Sequence, residues 1–145
     1  MNKSELIDKL NSDLMNEYTH MHFYLHSSVM VSGLHRAEIA EWLLEHAKGE
    51  FEHVQQFAKM IVGLGGVPVN KPHDFPTLTN AYAIMMQAYT LESQVVKNYA
   101  HRMEEIGMSN ELDVCDAKYV ELFLEDQLLD SRGDLDEIAQ FLKGH

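Results

Sequence analysis

The strongest constraint on the fold is a pattern of apolar residues that step alternately by three and four positions. One such stripe runs through residues 10–31, a second through 39–64 and a third through 78–106. Residues three and four apart lie on the same face of an α-helix, so each stripe is the buried face of an amphipathic helix. Three such helices and a less regular fourth predict an all-α helical bundle.

The breaks between the stripes contain turn-forming residues, which places the helices at about residues 4–32, 36–64, 78–106 and 111–143. The first and last connections are short, so the two helices that each of them joins are antiparallel. The middle connection, residues 65–77, is rich in glycine and proline. Its about 13 extended residues reach roughly 43 Å, and a helix of about 29 residues is roughly as long. We therefore expect one domain over residues 1–145, an antiparallel four-helix bundle with one long crossover between helices two and three.

The fourth helix carries the least regular stripe. Its best apolar face consists of Val120, Phe123, Gln127, Asp130, Asp134, Ile138 and Phe141. Two aspartates on a core face make this the weakest of the four helix predictions.

Each predicted helix has a polar residue near its middle on the apolar face. These residues are Glu17, Glu50, Glu92 and Gln127, and His53 follows Glu50 by one turn. Any one of them alone has an ordinary explanation, since a lone glutamate bends toward water and a lone histidine is hydrogen-bonded in the core. Three carboxylates at one height repel each other, and each unpaired buried charge costs several kcal/mol. Divalent cations relieve that repulsion better than protonation does, which favours a pair of bound metals.

The ligand types and the composition limit which metals and which classes of partner we expect. Carboxylates with an imidazole and no thiolate suit iron or manganese, and zinc remains possible. The net charge of −12 argues against nucleic acid and favours cations. The single cysteine, Cys115, excludes an internal disulfide and a self-contained iron–sulfur cluster. The N-terminus lacks the apolar run of a signal peptide and the chain lacks a membrane-spanning run, so we expect a cytoplasmic protein without a membrane partner.

Four segments resemble, in order, the helix motifs of non-haem ferritins. They are NEYTHMHFYL at 16–25, GEFEHVQQF at 49–57, YTLESQV at 89–95 and YVELFLEDQLLD at 119–130. In the last segment Asp126 stands where the family has a glutamate before the glutamine. The resemblance covers nearly all of the chain and implies a ferritin-like fold.

The same resemblance implies roles for individual residues. Glu17 and His53 would hold a first iron, Glu50 would bridge, and Glu92 would hold a second iron with Gln127 close by. Tyr24 would hydrogen-bond a ligand or donate an electron. Iron, two ions per chain, is therefore the expected cofactor.

Departures from related families modify this expectation. Bacterioferritins and rubrerythrins resemble the chain as well, but they repeat Glu-x-x-His on the fourth helix, where Gln127 is followed here by Asp130. We therefore expect a weaker and more labile second metal position. Phe51 stands where bacterioferritin has its haem methionine, so we expect no haem.

Three further residues near the centre have open interpretations. Asp130 matches an acidic position that some bacterial ferritins use for a third iron, and a capping or solvated aspartate is as common an explanation. His20 and His46 lie one turn from Glu17 and Glu50. They could hydrogen-bond a metal ligand, although ordinary core histidines are more common.

The resemblance implies iron storage with ferroxidase activity in a homo-oligomeric shell. The expected partners are Fe(II) and dioxygen or hydrogen peroxide. Two other classes stay open: a di-metal oxidoreductase, such as a peroxide-reducing enzyme that stores no iron, and a metal-free bundle that acts as a structural module. We expect no fifth helix after the fourth, in contrast to many ferritin cages, so the number of subunits stays open.

Overall fold

The computed structural model describes residues 1–144 and contains four α-helices. They are α1 (Lys3–Met30), α2 (Arg36–Gly63), α3 (Ala81–Met108) and α4 (Val114–Lys143). The predicted all-α, four-helix bundle is confirmed, with helix ends that differ from the predictions by up to three residues. α3 begins at Ala81 because Asn80 caps it, and α4 begins at Val114 because Asp113 caps it.

The connection between α2 and α3, residues 64–80, runs along α1. Hydrogen bonds join it to α1 and to the residue just past that helix: Asn11 to Val67 and Val69, Thr19 to His73, and Ser32 to Thr79. As the connection advances, its partners advance from the first half of α1 to Ser32, two residues after the end of α1. Since α2 begins near the end of α1 and α3 begins there too, α2 and α3 run parallel and α1 and α3 run antiparallel.

Two apolar clusters form the core, one toward each end of the bundle. The first contains Leu10, Leu14, Val54, Phe57, Val95, Tyr99, Val120 and Leu124 among others. The second contains Phe23, Tyr24, Leu43, Ala47, Ile84, Ala88 and Ile138 among others. Glu17, Glu50, Glu92 and Gln127, one buried polar residue from each helix, fall between the residues of the two clusters. The bundle therefore has a polar layer at mid-height, enclosed by apolar layers on both sides.

The face that α4 buries differs in part from the predicted one. Its buried residues are Val120, Leu124, Gln127, Ser131 and Ile138. Leu124 and Ser131 lie four positions after Val120 and Gln127, where the prediction had Phe123 and Asp130, and the side chain of Asp130 is 59% exposed. The prediction was wrong there because serine is not apolar and does not mark a buried face. Within the described residues, no helix combines the length and the apolarity that crossing a membrane requires.

Candidate metal centre

The polar layer brings together the side chains that the sequence singled out. Glu17, Glu50, Glu92 and Gln127 are 1%, 2%, 0% and 1% exposed. One nitrogen or oxygen from each of Glu17, Glu50 and His53 lies within 4.8 Å of the others, and the same holds for His20, Glu50 and Glu92. Glu50 belongs to both groups, so the two candidate metal positions are adjacent and share a carboxylate.

His53 is held between the centre and α4. Its Nδ1 lies 3.3 Å from Oε2 of Glu50 and 3.9 Å from Oε2 of Glu17. Its Nε2 lies 3.2 Å from Oδ2 of Asp130. A carboxylate on the far nitrogen of a histidine fixes the orientation of the ring, so Asp130 is placed to orient His53 from outside. Asp130 is in neither candidate group.

Two tyrosines hold the outer glutamates in a reciprocal arrangement. Tyr24 on α1 donates to Oε1 of Glu92 on α3 at 2.8 Å. Tyr99 on α3 donates to Oε1 of Glu17 on α1. Each tyrosine occupies one carboxylate oxygen and leaves the other facing the layer. Tyr99 belongs to the apolar stripe through residues 78–106, two turns after Glu92 on the same face, and nothing in the sequence alone indicated this contact with Glu17.

Several buried polar atoms in this layer have no hydrogen-bond partner among the described residues. They are Oε2 of Glu17, Oε2 of Glu92, Oε1 of Gln127 and Nδ1 of His20. Buried polar atoms in folded proteins nearly always have a partner, and each one without costs about 1–3 kcal/mol. Four such atoms in one layer, all oxygens or an imidazole nitrogen, are suitable ligands for divalent cations. The residues present therefore fit a pair of metal ions.

Burial and neighbouring groups shift the pKa values of the carboxylates in the layer. Burial, together with the charges of Glu17 and Glu92, raises the pKa of Glu50 well above its usual range. Burial would also raise the pKa of Glu17, but its interaction with Glu50 and the nearby His20 and His53 hold it below its ordinary value. A proton on Glu50 thus limits the negative charge of the metal-free layer.

Two cavities approach the layer from opposite faces of the bundle. One of about 250 Å³ lies between α2 and α4 and reaches Glu50 and His53. Another of about 280 Å³ lies beside the crossover and reaches His20, with His73 and Asp74 on its outer side. The layer can therefore be reached from the α2–α4 face and from the crossover face.

His46 belongs to a separate group near the α2–α4 surface. Its Nε2 lies 3.3 Å from Oδ1 of Asp134, and its Nδ1 lies 2.8 Å from the carbonyl oxygen of Trp42. Its ring stacks on that of Trp42, with ring centres 3.6 Å apart. His46 thus contacts Asp134 and Trp42, and it is not a member of either group that contains Glu50.

Solved structures resemble this chain over nearly its whole length. A ferritin-like diiron-carboxylate protein from Bacillus anthracis is 26% identical, with a TM-score of 0.85, over 97% of this chain and 96% of the other. A dodecameric thioferritin, the bacterioferritin-related protein of Bacteroides fragilis, is 25% identical, with a TM-score of 0.66, over 99% and 92%. A Rhodobacter capsulatus bacterioferritin has a TM-score of 0.84 over 97% and 84% at 16% identity, which shows the fold alone.

No curated protein matches the chain in sequence. The family model described as "Ferritin: Ferritin-like domain" matches residues 7–128. That range contains α2 and α3 completely and the polar layer from Glu17 to Gln127. The chain belongs to the ferritin-like family, and its four-helix fold is that of the diiron-carboxylate proteins.

Proposed function

We propose that this protein oxidises Fe(II) at the polar layer and stores the resulting Fe(III) as a mineral inside a homo-oligomeric shell. The observation that carries the proposal is the pair of candidate metal groups that share Glu50 in the interior of the bundle. Their buried atoms without hydrogen-bond partners support it further, because two cations would satisfy them. Iron is here the substrate, and two ions per chain are held during oxidation.

The residues of the layer have different roles in binding the two Fe(II) ions. Glu17 and His53 bind the first Fe(II), Glu92 binds the second, and Glu50 bridges the two. Gln127, whose buried amide oxygen has no hydrogen-bond partner among the described residues, supplies that oxygen to the second ion. Two Fe(II) together supply two electrons, the number that reduces dioxygen to hydrogen peroxide or hydrogen peroxide to water.

The side chains around the ligands position them. Tyr24 holds Glu92 through its hydroxyl and stays protonated, because burial and the charge of Glu92 raise its pKa well above the usual value. Asp130 orients His53 from the exposed side. Both residues line the cavity between α2 and α4, through which Fe(II) can arrive. The acidic surface, with a net charge of −12, attracts Fe(II) to the protein.

Aerobic loading with Fe(II), followed by size exclusion and an iron assay on the protein peak, tests storage. We expect soluble ferric iron far above about two per chain, the number that the ligands can hold, and a large oligomer that carries it. Uptake that stops at about two per chain would contradict storage and indicate a di-metal oxidoreductase. No iron on the protein and no metal-dependent rise in melting temperature would indicate a metal-free module.

Variants at the layer test the assignment of oxidation to these residues. Glu17→Ala and His53→Ala each remove a ligand. Their initial rates of Fe(II) oxidation should fall by more than the roughly 10- to 100-fold that loss of an orienting partner costs. His22→Ala is the matched control, because His22 is exposed on the same helix as Glu17. Unchanged rates in both ligand variants would refute ferroxidase activity at this site.

A further inference from the structure

α1 repeats the spacing that α2 uses at the centre. Residues 17–20 read EYTH and residues 50–53 read EFEH, so Glu17 and His20 are related as Glu50 and His53 are. Residues three apart lie on one face of a helix, and both pairs therefore point into the same layer. The fourth helix, where related families place their second Glu-x-x-His, has Gln127 and Asp130 instead.

Given the proposed function, on which this inference rests, we propose that Nδ1 of His20 is the imidazole ligand of the second metal position. One ring nitrogen of His20, with one oxygen each from Glu50 and Glu92, forms a group whose atoms lie within 4.8 Å of one another. Nδ1 is the nitrogen that faces Glu92, at 3.4 Å from its Oε1. His20 thus supplies from α1 the histidine that α4 lacks.

The surroundings of His20 do not fit an ordinary core histidine. Its side chain is 2% exposed, and its Nδ1 has no hydrogen-bond partner among the described residues. Oε1 of Glu92 lies 3.4 Å from this nitrogen, within ion-pair distance when the ring is protonated but not aligned as a hydrogen bond, and it accepts the hydrogen bond of Tyr24. A buried imidazole nitrogen normally has a hydrogen-bond partner. Because Nδ1 of His20 has none among the described side chains, we infer that its partner is a metal ion.

The proposal makes the two metal positions chemically alike. The first has Glu17 and His53, the second has Glu92 and His20, and both share Glu50. Each position then has one carboxylate of its own, one imidazole and the bridging carboxylate, and the second has the amide oxygen of Gln127 in addition. We therefore expect two ions of similar affinity, in contrast to the weak second position that the fourth helix alone predicts.

Calorimetric titration with Co(II) under anaerobic conditions tests directly whether His20 is a metal ligand. Wild-type protein should bind two Co(II) per chain. His20→Ala and His20→Gln should each bind one under the same conditions, and His22→Ala should still bind two. His20→Gln keeps most of the side-chain volume, so it gives the answer if the alanine variant does not fold. His53→Ala should lose the other ion and also bind one.

The outcomes separate this proposal from the proposed function. Wild-type protein that binds no Co(II) would overturn the metal centre as a whole. Two ions in wild type and two in both His20 variants would overturn the role of His20 alone and leave the centre in place. Anomalous diffraction from Co(II)-loaded crystals gives a second readout, with Nδ1 of His20 expected about 2.1 Å from the metal. A metal that lies beyond bonding distance of His20 would refute the proposal.

Discussion

Tyr24 is buried between the apolar core and the candidate metal centre. Its ring packs edge-to-face on Trp42, and its hydroxyl donates to Glu92 at 2.8 Å. Tyr24→Phe keeps the packing and removes only the hydroxyl. We expect the initial rate of Fe(II) oxidation to fall about tenfold or more, since an orienting partner of a metal ligand contributes roughly 10- to 100-fold. Stopped-flow absorbance of Fe(III) measures the rate.

Tyr18→Phe is the control for this change, because Tyr18 lies on the same helix and lines an outer groove away from the layer. The control should oxidise Fe(II) at the wild-type rate. Equal rates for Tyr24→Phe, Tyr18→Phe and wild type would show that the hydroxyl of Tyr24 has no part in oxidation.

Asp13 makes the stability of the fold depend on pH. It is 2% exposed and accepts two hydrogen bonds from Arg102, at 2.9 and 3.1 Å. Burial outweighs the effect of Arg102, while Glu17 and Glu105 add negative charge, and the pKa of Asp13 rises from 3.8 to about 6. Between these values the folded chain keeps a proton that the unfolded chain releases. The contribution of Asp13 to the free energy of unfolding is therefore full below about pH 4 and is lost as the pH rises through about 6.

Asp13→Asn mimics the protonated side chain and should remove this dependence. We expect the free energy of unfolding of wild type, relative to that of Asp13→Asn, to fall by about 2 kcal/mol between about pH 4 and pH 7. Urea unfolding of the metal-free proteins at one subunit concentration measures the difference. A difference that stays constant or grows with pH would contradict the raised pKa.

Among single residues, the sequence identified the glutamates of the polar layer but not the role that we propose for His20. Glu17, Glu50 and Glu92 stand out because a charged residue interrupts an apolar stripe at mid-helix. His20 gives a weaker signal, since histidine occurs in cores without a metal. The structure adds the missing constraint, which is that its Nδ1 is buried beside Glu92 without a hydrogen-bond partner. Tyr99 was missed for a similar reason, because its ring fits the apolar stripe.

Among the structural elements, the start of the crossover at Gly66 lies close to side chains of both α1 and α2. A Cβ added at Gly66 would lie 2.6 Å from Cγ2 of Ile7 and 3.0 Å from Cγ2 of Ile61. Both are methyl groups on β-branched side chains, which have little freedom to move away. We expect Gly66→Ala to lower the free energy of unfolding by about 1–3 kcal/mol, the usual cost of overpacking. Urea unfolding measures it.

Gly63→Ala is the matched control, three residues earlier at the end of α2. Apart from its chain neighbours and the nearby backbone of α2, no described atom lies within 4 Å of a Cβ added at Gly63. Alanine has the higher helix propensity, so this variant should be as stable as wild type or more so. If the two alanine variants had the same stability, the close approach of the crossover to α1 and α2 would be refuted.

The buried faces of α1, α2 and α3 could be predicted well from the sequence, and that of α4 only in part. Along α1, α2 and α3 the buried residues keep steps of three and four, so periodicity locates their faces and their polar centres. On α4 the buried face passes through Leu124 and Ser131, while Phe123 is half-buried and Asp130 exposed. Neighbouring positions with similar apolarity cannot be told apart by spacing. The helix starts depend on the caps Asn80 and Asp113, whose hydrogen bonds are visible only in the structure.

At the scale of the whole molecule, a single chain exposes much apolar surface. Large apolar side chains that are more than a third exposed include Leu25, Val29, Phe51, Val62, Tyr82, Met86, Tyr119, Leu122 and Leu129. On the outer side of α1 and α2 a groove of about 480 Å³ is lined by Tyr18, Met21, Phe51, Val54, Ala58 and Val62. Extended apolar surfaces on a protein indicate contact with a partner, and in the proposed shell that partner is another copy of the chain.

Phe51→Glu tests this surface, because Phe51 is 59% exposed in the single chain and lines the groove. If a second copy covers the groove, the new carboxylate becomes buried without a partner, which costs several kcal/mol and weakens association at least about 100-fold. Sedimentation velocity at micromolar concentration should then show smaller species than wild type. Gln56→Glu adds the same charge to the same helix at an exposed position outside the groove, and it should sediment as wild type. If Phe51→Glu also sediments as wild type, subunits do not associate through this groove.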